Sequence, residues 1–189
     1  MKVYLFTDGG ATNIHKRFFG ASAYIILHGD ITFEYSEEAT FGTNNYFELR
    51  AIEKGIQKVI QMYPSNLDDI ELCVVSDSQY SISSVTVWFN GWLNINGKYY
   101  TKSTRTPVMN IDQILSIRSL VPKFKSVKFI KIRAHTDRLK STMFELYSEF
   151  NSVNTLALSM KEFLNFIHLN ERCDSSISKA IANIKHMRK

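Results

Sequence analysis

Residues 2–7 (KVYLFT), 21–28 (ASAYIILH) and 31–37 (ITFEYSE) are short runs rich in β-branched and aromatic residues. The last two are separated by His28-Gly29-Asp30, a tight turn, so the chain opens as three antiparallel strands. From Asn45 the period changes: Leu49, Ile52, Ile56, Val59, Ile60 and Tyr63 recur at helical spacing until Pro64 stops the run. A buried strand at 70–76 (IELCVVS) and a helical stretch from Ser78 to about Trp88 follow. Residues 89–106 are polar, basic and aromatic, broken by Gly91 and Gly97, and read as a loop or projecting segment. Helical spacing returns at Ile111, Ile114, Leu115, Ile117 and Leu120 and ends at Pro122. Residues 127–133 (VKFIKIR) then alternate apolar with basic, as a half-exposed strand should. From about Ser152 the chain is helical again, with Val153, Leu156, Ala157 and Met160 on one face, and it closes on a basic segment at 176–189. The order βββ-α-β-α-α-β-α predicts an α/β fold, a mixed sheet with helices packed on it.

Composition narrows this little: 189 residues, 44% hydrophobic and 22% charged, with 8 Gly, 3 Pro and 2 Cys, exclude disorder, collagen and a disulfide scaffold. Charge changes the picture more. Residues 1–78 carry 6 Lys+Arg against 11 Asp+Glu, whereas residues 98–140 carry 11 against 2, so the net +5 conceals segments of −5 and +9. An acidic part beside a strongly basic one suits carboxylates set next to a polyanion-binding surface, the layout of a metal-dependent nuclease. Solvated faces of ordinary surface charge would give the same count. The two cysteines, Cys73 and Cys173, stand a hundred residues apart without zinc-ligand spacing, which fits a reducing compartment. No apolar run approaches a membrane span, and the N-terminus opens directly into KVYLFTD, so a cytoplasmic, membrane-free monomer is expected.

Three carboxylates fall at the edges of predicted elements. Asp8 ends the first strand in FTDGG, whose glycines permit close backbone approach. Asp77 ends the fourth strand in VVSDSQ, and Glu48 lies in the first turn of the first helix, leaning toward its inward stripe. Singly each has a plain reading as a turn, cap or helix-dipole acid. Together, with the first and fourth strands adjacent, they would crowd negative charge that divalent cations must offset.

FTDGGATN at 6–13, NYFELRAI at 45–52, SDSQY at 76–80, TPVMNID at 106–112 and IKIRAHT at 130–136 resemble, in order and spacing, the motifs of type 1 ribonuclease H over residues 1–157. The resemblance implies a ribonuclease H-like fold: a five-stranded mixed sheet, three antiparallel strands then parallel ones, flanked by helices. It also implies a domain over 1–160 with a C-terminal helical extension over 161–189. The implied activity is hydrolysis of the RNA strand of RNA–DNA hybrids with two Mg²⁺ or Mn²⁺ ions, leaving 5′-phosphate and 3′-hydroxyl ends. Asp8, Glu48 and Asp77 match three of the family's four metal-binding acids, and His135 matches its histidine after the last strand.

The fourth acid departs from the pattern. NSVNTLA at 151–157 puts Asn154 at the acidic position, and LNERCDSS at 169–176 offers Asp174 instead. Asn154 is preferred because it lies 19 residues after His135 with Leu156-Ala157 correctly placed, whereas Asp174 lies 39 after it and doubles as a helix N-cap. By the same match, Asn45 and Gln79 read the 2′-hydroxyl, with Asn13 and Asn44 as weaker readers. Trp88, Trp92, Lys98, Lys102 and Arg105 belong to a basic protrusion gripping the DNA strand, one or both tryptophans packing in the core instead. Two rivals remain: a catalytically weak binder of hybrid or double-stranded RNA, and another nuclease of the superfamily such as a junction resolvase.

Overall fold

The computed structural model describes residues 1–39, 41–133 and 141–187. Its first strands are longer than their hydrophobic runs. β1 (Lys2–Ile14) and β2 (Arg17–His28) pair antiparallel through Ile14↔Arg17, joined by His15 and Lys16, both with positive φ. Two successive left-handed residues make the tight hairpin whose twist matches its strands, formed here without the usual Asn-Gly signal. β3 (Ile31–Ala39) pairs with β2, and α1 (Asn44–Met62) starts at Thr43, whose hydroxyl caps the Tyr46 N–H, and stops before Pro64. β4 (Glu71–Ser76) lies parallel to β1, and α2 (Gln79–Thr86) begins at Ser78.

The segment expected as a loop holds a 3₁₀ turn at Trp88–Gly91 and a small hairpin, β5 (Leu93–Ile95) with β6 (Lys98–Tyr100), turning at Asn96 and Gly97. α3 (Ile111–Leu120) and β7 (Ser126–Lys131) follow, β7 parallel to β4. The sheet order β3-β2-β1-β4-β7 is the mixed, five-stranded arrangement expected. The helix read from about Ser152 divides differently: α4 (Met143–Val153) carries a capping box between Thr142 and Glu145, and α5 (Met160–Met187) is one 28-residue helix. Ser159 and Glu162 exchange reciprocal bonds at the start of α5.

The sheet buries both faces. Val3, Leu5, Leu72 and Val74 pack under α1, α2 and α3. Phe6, Ala23, Cys73, Val75 and Ile130 pack under α4 and α5. From α5 alone Phe163, Phe166, Ile167, Leu169, Cys173 and Ile177 are buried, each large apolar one contributing roughly 1.5–3 kcal/mol. The boundary expected at residue 160 coincides with the first residue of α5, which packs on β1, β2 and β3.

Candidate active site

The parallel β1–β4 ladder ends at Thr7↔Ser76, so Asp8 and Asp77 leave adjacent strands at the same level. Asp8 is not the end of its strand, as the sequence suggests, because β1 runs six residues further in its hairpin with β2. The two glycines after it explain how other elements reach it. A Cβ on Gly9 would lie 2.2 Å from the backbone of Phe47 and Glu48, so its hydrogen admits the start of α1. A Cβ on Gly10, on the opposite face, would meet Ile177 of α5 at 3.0 Å. Gly9 thus admits Glu48 from one layer and Gly10 admits α5 from the other.

The result is a cavity of about 320 Å³ whose wall includes Asp8, Glu48, Asp77 and Asp174, with Asn44 and Ser178. Asp8 is buried, and its carboxyl is held well above the ordinary carboxylate range, first by burial and then by Asp77, with Asp174 and Glu48 adding to it against the Gly9 N–H. Glu48 is also raised, chiefly by burial and further by Asp77. Hydrogen bonds from the Ser78 and Ser81 hydroxyls and the charge of Lys131 oppose that rise. Among the described residues no three His, Cys, Asp or Glu side chains already close on a point as a metal-binding group; the four acids line the cavity instead.

Asn154 is not among them. It stands at the C-terminus of α4, where its side chain spans the open edge of β7: Oδ1 accepts from the Lys131 N–H at 3.0 Å, and Nδ2 donates to the Lys131 carbonyl at 3.0 Å and the Phe150 carbonyl at 2.9 Å. It lines a separate cavity of about 540 Å³ with Gln79, Lys131, Arg133 and Glu149. The spacing from His135 and the following Leu156-Ala157 favour Asn154 in sequence, but α4 occupies the interval between β7 and α5. Asp174 sits in the local string Asn-Glu-Arg-Cys-Asp at 170–174, on the face of α5 that lines the cavity. His135 lies outside the described residues.

The other expected residues scatter around this center. Asn44 holds the Ala11 N–H at 2.6 Å, tying β1 to α1, and Asn45 is half-buried beside it. Asn13 is exposed near the β1–β2 turn, and Gln79 is exposed with its Nε2 on Ser83 Oγ at 2.8 Å. Trp88 is exposed against Tyr80, whereas Trp92 packs on Phe89 at the core's margin. Lys98, Lys102 and Arg105 are exposed on the small hairpin and the turn beyond it.

A family model described as RNase H matches residues 1–143, about three quarters of the chain. The chain belongs to the RNase H family. Curated relatives named Ribonuclease H agree. The protein of Clostridium botulinum strain Hall is 29% identical over 157 residues, covering 79% of this chain and 98% of its own. That of Geotalea uraniireducens is 27% identical over 135 residues, covering 71% and 83%. Among solved structures, LC11-RNase H1, isolated from compost by a metagenomic approach, superposes with a TM-score of 0.58 at 17% identity over 97% of both chains. The same enzyme in complex with an RNA/DNA hybrid gives 0.52 at 19% identity over 72% of this chain and 88% of its own. The family match stops before α5, so Asp174 lies beyond it. Among the described residues no helix is long and apolar enough to cross a membrane.

Proposed function

We propose that this protein, a ribonuclease H by family, hydrolyses the RNA strand of RNA–DNA hybrids with Asp8, Glu48, Asp77 and Asp174 as its four acids, leaving 5′-phosphate and 3′-hydroxyl ends. The observation that carries the reading is the shared wall of these carboxylates, delivered by β1, α1, the end of β4 and α5 to one cavity.

The donor set fits hard divalent cations such as Mg²⁺ or Mn²⁺. Its four acids offer carboxylate oxygens only, gathered on one cavity wall where Asp8 and Glu48 are raised first by burial and further by the neighbouring Asp77. Bound divalent ions supply an activated water and neutralise charge at the leaving 3′ oxygen. The chain's own residues do the rest. Ser78 and Ser81 both donate to one oxygen of Glu48 and so fix its carboxylate at the cavity wall. Gly9 holds one oxygen of Asp8 through its N–H at 2.7 Å. Asn45 and Gln79 read the 2′-hydroxyl at the edges of the site, and Asn13 and Asn44 support the RNA strand. Trp88 with Lys98, Lys102 and Arg105 grips the DNA strand, consistent with their exposure on one projecting segment.

The test is incubation of the purified protein with end-labelled hybrid, duplex DNA and duplex RNA, in Mg²⁺ and in Mn²⁺. Cleavage confined to the RNA strand of the hybrid is expected. Binding of hybrid without cleavage in either metal, or cutting of branched DNA instead, would overturn the reading.

A further inference from the structure

Lys131 is the last residue of β7, paired across the ladder with Ser76, which precedes Asp77. Its side chain does not run out to solvent. The ammonium donates to the main-chain carbonyl of Asp77 and to that of Ile132, the latter at 3.2 Å. The charges facing it are Asp77, Glu48 and Glu149, with Arg133 as the opposing cation. Burial holds its pKa below the usual lysine range, against the pull of those carboxylates.

The backbone that carries Lys131 is itself fixed. β7 is the edge of the sheet beyond β4, and at Lys131 the N–H and C=O on that edge are both taken by the Asn154 side-chain amide, which acts as a one-residue strand partner. Asn154 in turn is anchored to Phe150 of α4. A path of hydrogen bonds therefore runs from α4 through Asn154 and Lys131 to the main chain of an acid of the site.

We propose that Lys131, locked by Asn154, is a positioning residue and resident counter-charge: it fixes the main chain of Asp77 and offsets part of the carboxylate repulsion when no divalent ion is bound. This rests on the reading of the four acids as a divalent-cation site. A fixed ammonium beside Asp77 and Glu48 does with one positive charge, from the rear, some of what a metal does from the cavity. The negative charge of the site is then tolerable in the metal-free fold, and Asp77 is held in place before the ion arrives.

The experiment compares thermal unfolding of the wild type, Lys131→Met, Lys131→Arg and Asn154→Ala, each in chelator and in saturating Mn²⁺. Lys131→Met is expected to lower the midpoint by about 4 °C or more in chelator and by less than about half of that in Mn²⁺, where the ion replaces the missing charge. Lys131→Arg, which keeps the charge and a donor, should stay near the wild type in both. Asn154→Ala should show the same asymmetry at smaller size. Should Lys131→Met not fold, Lys131→Gln, with a donor but no charge, makes the same comparison. An equal loss in chelator and in Mn²⁺ would make Lys131 an ordinary structural residue and overturn the proposal. A wild-type midpoint that does not respond to Mn²⁺ or Mg²⁺ would overturn the cation-site reading as well; a responsive wild type with an even Lys131→Met loss overturns this inference alone.

Discussion

Asn154 and Asp174 occupy look-alike stretches of sequence, and the structure treats them oppositely. Among the described residues, every polar contact of the Asn154 amide goes to a backbone group, and the residue closes a sheet edge. Asp174 lines a cavity with Asp8, Glu48 and Asp77, where burial and then the neighbouring carboxylates raise Asp8. Satisfied polar groups mark architecture, and clustered, under-compensated ones mark chemistry. The amide that resembles a weakened ligand serves the fold, and the acid discounted as a helix cap stands at the site.

The strongest way to break this contrast is to remove charge from its center. Asp8→Asn is expected to cut hybrid cleavage by about a thousandfold, equivalent to ~4 kcal/mol of transition-state stabilisation, while raising the unfolding midpoint in chelator. A loss of both activity and metal-free stability would mean that Asp8 is structural. Exchanging the two look-alikes comes next. Asp174→Asn should lower cleavage by about a hundredfold, equivalent to ~2.7 kcal/mol. Asn154→Asp should bring no gain and cost about 1–3 kcal/mol of stability, because a carboxylate oxygen would then face the Lys131 and Phe150 carbonyls. Activity rising in Asn154→Asp would reverse the assignment.

Asp8 and Glu48 bind protons more tightly folded than unfolded, since their folded values lie above the ordinary 3.8 and 4.5. Between those ordinary values and the raised ones the folded state holds more protons, so metal-free stability falls as pH rises through that window. In chelator the midpoint should therefore climb as pH drops from the raised values toward the ordinary carboxylate range, and Asp8→Asn should flatten the climb. With Mn²⁺ present the trend should invert, because protons compete with the ion. The smallest effect concerns the projecting segment. Neutralising Lys98, Lys102 and Arg105 together should reduce the slope of log K against log salt for hybrid binding by up to about three charges' worth, each ~0.7–0.9. An unchanged slope would leave them as surface charge.

Much of this was legible in the chain. The β-branched and aromatic runs at 21–28 and 31–37, the helical spacing after Asn45 and the buried run at 70–76 announce β2, β3, the first helix and β4. Asp8, Glu48 and Asp77 were legible as acids at element edges and through the family motifs that hold them; that they share one wall depends on β1 lying beside β4. The β1–β2 hairpin was not, because His15 and Lys16 adopt left-handed backbone without a glycine to announce it. In the sequence, helical spacing was read only from about Ser152, whereas α4 already runs over Met143–Val153 behind its capping box. Lys131 read as one of several alternating strand lysines. Its turn toward Asp77 depends on the end of β4 lying beside the end of β7, a tertiary fact.

On the proposed reading Asp174 completes the carboxylate set and Asn154 does not. Calorimetric titration of Mn²⁺ into the wild type, Asp174→Asn and Asn154→Asp, without nucleic acid, tests it most directly. Binding weakened about tenfold or more in Asp174→Asn, an affinity loss of ~1.4 kcal/mol, with Asn154→Asp close to the wild type, is the predicted result. Unchanged binding in Asp174→Asn with tighter binding in Asn154→Asp would contradict it.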